Sequence, residues 1–239
     1  MAAKKNNKDV TARTKGEVIP IPEEFDPQKT MDQIEPRLPQ IGILHQGQMF
    51  KMPDGENVKS FKGVILDLNR ANAFWKESFS ESGGGTPPDC SSIDGIHADL
   101  NMEGACPSPT GKCGHGKDPE CPHNKFGSDG RGKKCKNLKR VHILIDDQLL
   151  PMRLTLPPTS IKSIDLYVSL LMSQKLPMQL IETEFSLKES SNKEGISFSE
   201  AVFKNINRIT DAKRVEELRL MFRQWRSIMR QQPVEGDEY

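Results

Sequence analysis

Residues 137–175 read NLKRVHILIDDQLLPMRLTLPPTSIKSIDLYVSLLMSQK. Two apolar runs separated by a short Asp-Gln turn fill the first half, which predicts two strands of one sheet. Two prolines and a Thr-Ser pair follow, which is typical of a helix that begins with a Thr or Ser cap. After them, apolar residues recur near helical spacing at Ile161, Ile164, Leu166, Val168, Leu171 and Met172. The stretch therefore predicts a strand, a second strand and an amphipathic helix.

Two more strands are predicted on the amino-terminal side of this stretch. The first is GILHQGQMFKM (42–52), and the second is SFKGVILDLNR (60–70). The segment between them, PDGEN (53–57), contains Pro, Asp and Gly, which supply turn geometry. Two strands joined by such a turn suggest a hairpin.

Two β-rich runs and a second helix are predicted on the carboxyl-terminal side. The runs are LPMQLIETEFSL (176–187) and GISFSEAVFKNINRI (195–209), and their residues Phe185 and Phe203 are expected inside a small barrel. The helix is expected to begin at an Asp211 cap. Its apolar residues recur at helical spacing at Val215, Leu218, Met221, Phe222, Trp225 and Ile228.

The order of these elements predicts a mainly β fold with an OB-fold-like five-stranded barrel. An OB-type Greek-key barrel has its helix between the third and fourth strands, where this sequence also has one. We expect an extended arm at 1–40, a core at 41–210 with a cysteine-rich insertion at 80–137, a C-terminal helix at 211–232 and an acidic tail at 233–239.

Composition restricts the class of protein. The 239 residues carry a net charge of +1 and 35% of them are hydrophobic, which excludes a globally basic protein but not local positive charge. No run approaches the roughly 18 consecutive apolar residues of a membrane span, and the first residues lack the apolar stretch of a secretory signal. We therefore expect a soluble, cytoplasmic protein that contacts no membrane.

All five cysteines lie in the insertion, at Cys90, Cys106, Cys113, Cys121 and Cys135. An odd, clustered set argues against the dispersed disulfides of a secreted protein. Four thiolates bind Zn²⁺ tetrahedrally, and the ion supplies folding energy that a Gly- and Pro-rich segment cannot obtain from burial. We predict Zn²⁺ as the cofactor, with the ligands Cys90, Cys113, Cys121 and Cys135. The alternatives to Cys113 are Cys106, His115 and His123. Unrelated free thiols and an iron-sulfur cluster are the other interpretations.

Positive charge is concentrated in the same region. From Lys112 to Arg140 the chain has nine Lys and Arg residues against three acids. Such a patch binds nucleic acid by releasing condensed counterions, and single-strand binding also needs aromatic rings on which bases stack. The predicted nucleic-acid-binding residues are Arg70, Trp75, Lys125, Phe126, Arg131, Lys133, Lys134, Lys136, Lys139 and Arg140. Trp75 and Phe126 are the expected stacking platforms. The alternative is a solvated loop whose charge only keeps the insertion soluble.

Several motifs carry a resemblance to a known family. They are DLNRANAFWKESF (67–79), GGGTPPDCSS (83–92), CPHNKFGSDGRGKKCKN (121–137), LTLPPTS (154–160) and TEFSL (183–187). They are spread over roughly residues 60–205 and resemble a family of phage and prophage proteins that look like single-stranded DNA-binding proteins with an OB-type core. The resemblance implies a phage protein that acts in the host cytoplasm. The segment GHGKDPE (114–120) looks like an insertion relative to that family.

The first functional hypothesis is a non-catalytic protein that coats single-stranded DNA in phage DNA replication or recombination. The acidic tail is then expected to contact replication or recombination proteins. The second hypothesis is a zinc-ribbon protein-interaction module of a replication or transcription complex. No enzyme is expected, because the sequence contains no catalytic metal or phosphate-loop motif and no pair of acid and base at a supporting spacing.

Overall fold

The computed structural model describes residues 36–44, 47–76, 86–99, 108, 110–114, 120–130, 132–146, 148–191, 195 and 197–234. Nearly all of the expected amino-terminal arm, and the tail beyond Val234, lie outside these ranges. Three residues named above, Cys106, His115 and Arg131, also lie outside the described residues.

The described residues form nine strands and two α-helices. The strands are β1 (Gln40–Leu44), β2 (Met49–Lys51), β3 (Asn57–Val58), β4 (Ser60–Phe74), β5 (Cys90–Ser92), β6 (Lys136–Leu144), β7 (Met152–Leu156), β8 (Ile181–Ser191) and β9 (Ser197–Arg208). The helices are α1 (Pro158–Ser173) and α2 (Ala212–Gln231). This content confirms the predicted mainly β fold.

The strands form one curled mixed sheet in the order β3-β2-β1-β7-β6-β4-β8-β9, with β5 paired to β4 beside this path. Strand β4 is central because both of its edges are used. One edge pairs antiparallel with β6 along almost its whole length, and the other pairs first with β8 and then with β5. The register of the β4–β6 pair shifts between Ile65 and Asp67, which is the signature of a β-bulge.

The inner face of the sheet holds the main apolar core. Alternate residues of β6 and β7, such as Val141 and Leu154, point to this face and are fully buried. Helix α1 covers them with Ile164, Tyr167 and Leu171, which lie on one side of the helix. A row of aromatic rings, Phe50, Phe61, Phe185 and Phe203, packs in successive pairs beside them. Phe185 is therefore buried as predicted, and Phe203 packs against the same core.

The opposite face of the sheet, here called the outer face, is polar and covered by α2. Asp67 on β4 accepts hydrogen bonds from Arg230 of α2 at 2.7 and 3.1 Å. Trp225 and Met229 are buried on the same helix, whose first turn is capped by the Asp211 carboxylate at 2.8 Å from the Arg214 amide. The predicted bounds and cap of this helix are confirmed.

The structure differs from the sequence prediction at the first hairpin. The run 42–52 is divided into β1 and β2, which pair with each other across a turn at Gly47 and Gln48, both with positive φ. The PDGEN turn then joins β2 to the short β3, so SFKGVILDLNR is not the partner of the first strand. A positive φ at Gln48 is disfavoured for a residue with a Cβ, which is why a continuous strand was the simpler interpretation.

Two features of α1 also differ. Its N-cap is Pro157, which makes no side-chain capping bond, and the Ser160 hydroxyl instead accepts the Ala201 amide of β9 at 3.0 Å. Leu166 and Met172, expected on the apolar side, are exposed. Among the described residues, no helix is long and apolar enough to cross a membrane.

The close crossing of β4 and β6 gives a stability prediction. A Cβ at Gly63 would lie 2.6 Å from the Ile143 side chain and 2.9 Å from the Leu144 carbonyl oxygen. We expect Gly63→Ala to lower the free energy of unfolding by about 1–3 kcal/mol, because β4 and β6 have to separate. Urea denaturation measures this change. In Gly42→Ala, the new Cβ meets its nearest atom at 3.6 Å, so this control should be close to neutral. Equal losses in both variants would contradict the role given to Gly63.

Candidate metal centre and nucleic-acid interface

Strand β4 fixes both ends of the cysteine-rich insertion. Cys90, the first residue of β5, is paired with Phe74 at the end of β4. On the other edge of β4, Lys136 is paired with Ala73, and Cys135 directly precedes it. The insertion therefore leaves and re-enters the sheet on the two sides of one strand end. Strand pairing therefore brings Cys90 and Cys135, the first and last ligand candidates of the insertion, close together.

Hydrogen bonds join the remaining cysteine segments to this position. Cys121 precedes a 3-10 turn at Pro122–Asn124, and the amide of Asn124 donates to the Cys121 carbonyl at 3.0 Å. The Asn124 side chain donates to the carbonyls of Cys113 and Gly114, at 3.2 and 2.9 Å. The amide of Cys135 donates to the His123 carbonyl at 2.9 Å. The segments of Cys113, Cys121 and Cys135 therefore converge on one turn.

The four cysteines are buried and share one space. Cys90, Cys113, Cys121 and Cys135 are at most 7% exposed, and all four are free thiols. The pKa of Cys135 is raised, first by burial and then by the neighbouring sulfurs of Cys113, Cys121 and Cys90. Among the described residues, however, no three or more His, Cys, Asp or Glu side chains are arranged as a metal-ion site. The four thiols are therefore neighbours in one buried space.

A network of asparagines connects this turn to the sheet. The ammonium group of Lys133 donates to the side-chain oxygens of Asn124 and Asn137, at 3.1 and 2.9 Å. The amide group of Asn137 donates to Asn124 and to Asn72 of β4, at 2.9 and 2.8 Å. Asn72 in turn donates to the Gly95 carbonyl at 3.2 Å. Lys133, expected to contact phosphate, instead holds the insertion together from inside, because its ammonium is directed at these amides.

His123 packs beside the thiols rather than away from them. Its ring stacks on the Phe74 ring with 4.3 Å between centroids. Its pKa is lowered, first by burial and then by the charge of Lys134, so the neutral imidazole is favoured. Sequence reasoning considered His123 only as a ligand and did not identify the roles of Phe74, Asn124 and Asn137. The asparagine in CPHN, directly after a cysteine turn, was the available signal.

The predicted nucleic-acid-binding residues include four that are exposed and a second set, here called the engaged group, whose side chains contact other parts of the chain. Phe126 is 83% exposed, and Arg70, Lys125 and Lys134 are also exposed. Phe126 lies between Lys125 and a turn in which Gly127 and Gly130 adopt positive φ. The Phe126 ring therefore lies on an exposed turn of the insertion.

The engaged group is held by contacts within the chain. The Lys136 ammonium lies 3.4 Å from the Asp129 carboxylate, and Lys139 is paired with Asp165 of α1. The Trp75 indole donates to the Thr86 carbonyl at 2.9 Å, and its ring is partly buried against Ala71, Ala73 and Leu138. Trp75 is thus a packing residue rather than an open stacking platform.

Arg140 lies on the outer face and is fully buried. Its guanidinium donates to the carbonyl oxygens of Gln232 and Pro233, both at 2.6 Å. Arg140 is therefore not exposed for a phosphate contact while these two hydrogen bonds are made. The physical reason is that even-numbered residues of β6 face α2, which the local sequence does not reveal.

Comparison of the chain with protein-family models, with curated proteins and with solved structures finds no match. The resemblance of the cysteine-rich stretch to phage single-stranded DNA-binding proteins therefore stays a resemblance of motifs.

The contacts of Lys133 give a prediction that separates it from its neighbour. Lys133→Met removes the ammonium donor from two amide oxygens, and we expect local opening of the insertion to become easier by about 1–3 kcal/mol. Native-state proteolysis within the insertion measures this opening. Lys134→Met, at the adjacent exposed position, is the matched control and should change it by less than about 0.5 kcal/mol. Indistinguishable cleavage of the two variants would show that Lys133 has no structural role.

Proposed function

We propose that this protein binds single-stranded DNA without catalysis, through a zinc-held loop on an OB-type barrel. The observation that carries the proposal is the Phe126 ring, which is 83% exposed on a loop with exposed cations. Non-specific single-strand binding needs this combination, because rings stack with any base while cations hold the backbone. The proposed setting is DNA replication or recombination.

The strand connections support an OB-type core. Strand β4 pairs with β6 and β8, β6 pairs with β7, and β8 pairs with β9, all antiparallel. Helix α1 lies between the third and fourth members of this set. Strand β7 pairs with β6 on one edge and, in parallel, with β1 on the other. The five proposed barrel strands are thus β4, β6, β7, β8 and β9, and the remaining strands are additions.

In this assignment the insertion occupies the loop between the first and second barrel strands. OB barrels bind oligonucleotides on the face of strands 2 and 3 and with the loops after strands 1 and 4. The position of Phe126 and the exposed lysines in that loop is consistent with such use.

The proposed cofactor fits the chemistry of the four thiols. Zn²⁺ would be held by Cys90, Cys113, Cys121 and Cys135, and it would offset the charge of four buried thiolates that otherwise repel one another. The contacts of Asn124 with the carbonyls of Cys113 and Gly114 favour Cys113 as the fourth ligand. When bound, the ion would hold the loop that carries Phe126. Lys133 would offset part of the negative charge of a tetrathiolate site, since its charge already lowers the pKa of Cys135.

On β4 and in the insertion, phosphate contacts are proposed for the exposed cations. Arg70, Lys125 and Lys134 are exposed, whereas Lys136 and Lys139 are paired with carboxylates. Each cation that neutralises a phosphate releases a condensed counterion, so log affinity should fall as log salt rises. A protein-interaction module with the same loop would instead bind an acidic or apolar protein surface. It would show no salt-dependent affinity for an oligonucleotide.

The proposal gives a prediction for Phe126. We expect Phe126→Ala to weaken binding to oligo(dT) by about 1–3 kcal/mol, because one base loses its stacking partner. Fluorescence anisotropy with a labelled oligonucleotide measures the affinity. Leu166→Ala removes a similarly exposed apolar side chain from α1 and should leave the affinity unchanged.

Duplex DNA of the same length is the second arm of this experiment. Binding should be weaker to duplex than to oligo(dT), since paired bases are not available for stacking. Equal affinity for both forms would reject the proposal. A nuclease-insensitive complex with another protein, together with no oligonucleotide binding, would replace it with the interaction module.

A further inference from the structure

Two arginines on the outer face converge on one atom. Arg140 on β6 and Arg153 on β7 are at most 1% exposed. They are diagonal neighbours on one face of the sheet, since Arg140 pairs with Thr155 and Arg153 pairs with His142. The Pro233 carbonyl oxygen accepts hydrogen bonds from both guanidinium groups, at 2.6 Å from Arg140 and 3.2 Å from Arg153. The segment that receives these bonds, Gln232–Val234, directly follows α2 and is here called the covering segment.

We propose that Arg140 and Arg153 form a phosphate-binding site that the covering segment occupies until a nucleic-acid strand displaces it. This inference rests on the proposed function. Two guanidinium groups directed at a single oxygen have the geometry that binds phosphate, since each can donate to an anionic oxygen. A carbonyl oxygen fills the same position with only a partial charge, and hydrogen bonds to an anion are roughly twice as strong as those between neutral groups.

The site lies where a strand bound to the insertion would continue. Strand β6 begins directly after Cys135, and Arg140 is five residues further along it. At about 3.3 Å per residue, this places Arg140 roughly 17 Å from the end of the insertion. Strands β6 and β7 are also the second and third strands of the proposed barrel, whose outer face is the usual binding surface of OB barrels.

The side chains of the covering segment also contact other parts of the chain. The Val234 side chain packs against Ala71, Ala73 and Leu138. The Gln232 side chain accepts the Leu38 amide at 3.1 Å and donates to the Ile228 carbonyl at 3.2 Å. The covering segment spans three residues, so it can leave the arginines by a local change of the chain.

Helix α2 has separate anchors and can stay in place during this exchange. Trp225 and Met229 are buried, and Arg230 is paired with Asp67. The Asp67 carboxylate also lies on this face, beside His142. Its negative charge would repel an incoming phosphate, but the pairing with Arg230 offsets this repulsion. His142 adds no charge, because burial lowers its pKa to about 3. The local charge on the sheet is therefore carried by the arginines.

The first test uses the unmodified full chain. Hydrogen–deuterium exchange of the amides in 232–234 is measured with and without saturating oligo(dT). We expect exchange to become faster on binding. Phosphate oxygens of the oligonucleotide would replace the Gln232 and Pro233 carbonyls as acceptors for the two arginines, which releases the segment. Unchanged or slower exchange in a protein that binds the oligonucleotide would overturn the proposal.

The second test weakens the covering segment without changing the arginines. Val234→Asp places a charge in the apolar contact with Ala71, Ala73 and Leu138, which disfavours the covered state. If that state dominates about tenfold, the apparent Kd for oligo(dT) should fall by up to about tenfold. Leu220→Asp places the same charge on the exposed side of α2 and should leave the Kd unchanged.

Arg153→Ala in the Val234→Asp background should abolish the gain in affinity. A gain that survives this change, or a Kd that Val234→Asp does not lower, would overturn the proposal. Circular dichroism checks that each variant is folded, and if Val234→Asp unfolds, the exchange measurement on the unmodified chain decides. Failure of the proposed function has a different signature, in which neither the unmodified chain nor any variant binds oligo(dT).

Discussion

The pairing of β4 on both edges is the constraint on which the rest of the structure depends. Its last residues pair with Cys90 on one side and with the start of β6, next to Cys135, on the other. Neighbouring strands lie about 4.8 Å apart, so the ends of the insertion are held within about 10 Å before any loop contact forms. A loop closed at its base in this way has less conformational entropy to lose, and a small number of polar contacts can order it.

Amides and one ammonium group make many of those contacts, beside the Phe74–His123 ring stack and the packing of Phe74 with Cys90 and Cys135. Asn124 lies at the centre, because it bonds the Cys113 segment, Lys133 and Asn137, while Asn137 reaches Asn72 on β4. Phe126 lies two residues after Asn124 on the same loop, and its ring is 83% exposed. This position connects the fold to the proposed binding of unpaired bases.

The main strands and helices, such as β6, β7 and α1, could be predicted from apolar runs and helical spacing, whereas the short β3 and β5 were not predicted. The roles of charged residues could not, because Arg140, Lys133 and Lys134 are indistinguishable by local sequence. Burial of Arg140 follows from α2, which lies about ninety residues further along the chain. The division of 42–52 depends on a positive φ at Gln48, and the role of Ser160 depends on Ala201. These are tertiary contacts for which a single sequence carries no periodic signal.

The central claim is that the four buried thiols bind one zinc ion, which holds the loop that presents Phe126. The most direct measurement is zinc-edge X-ray absorption on natively purified protein, with Cys106→Ser as the matched control. We expect one zinc per chain with four sulfur ligands at about 2.3 Å. The Cys106→Ser spectrum should be the same, whereas Cys135→Ser should lose a sulfur ligand. Metal-free protein that still binds oligo(dT) with full affinity would contradict the account.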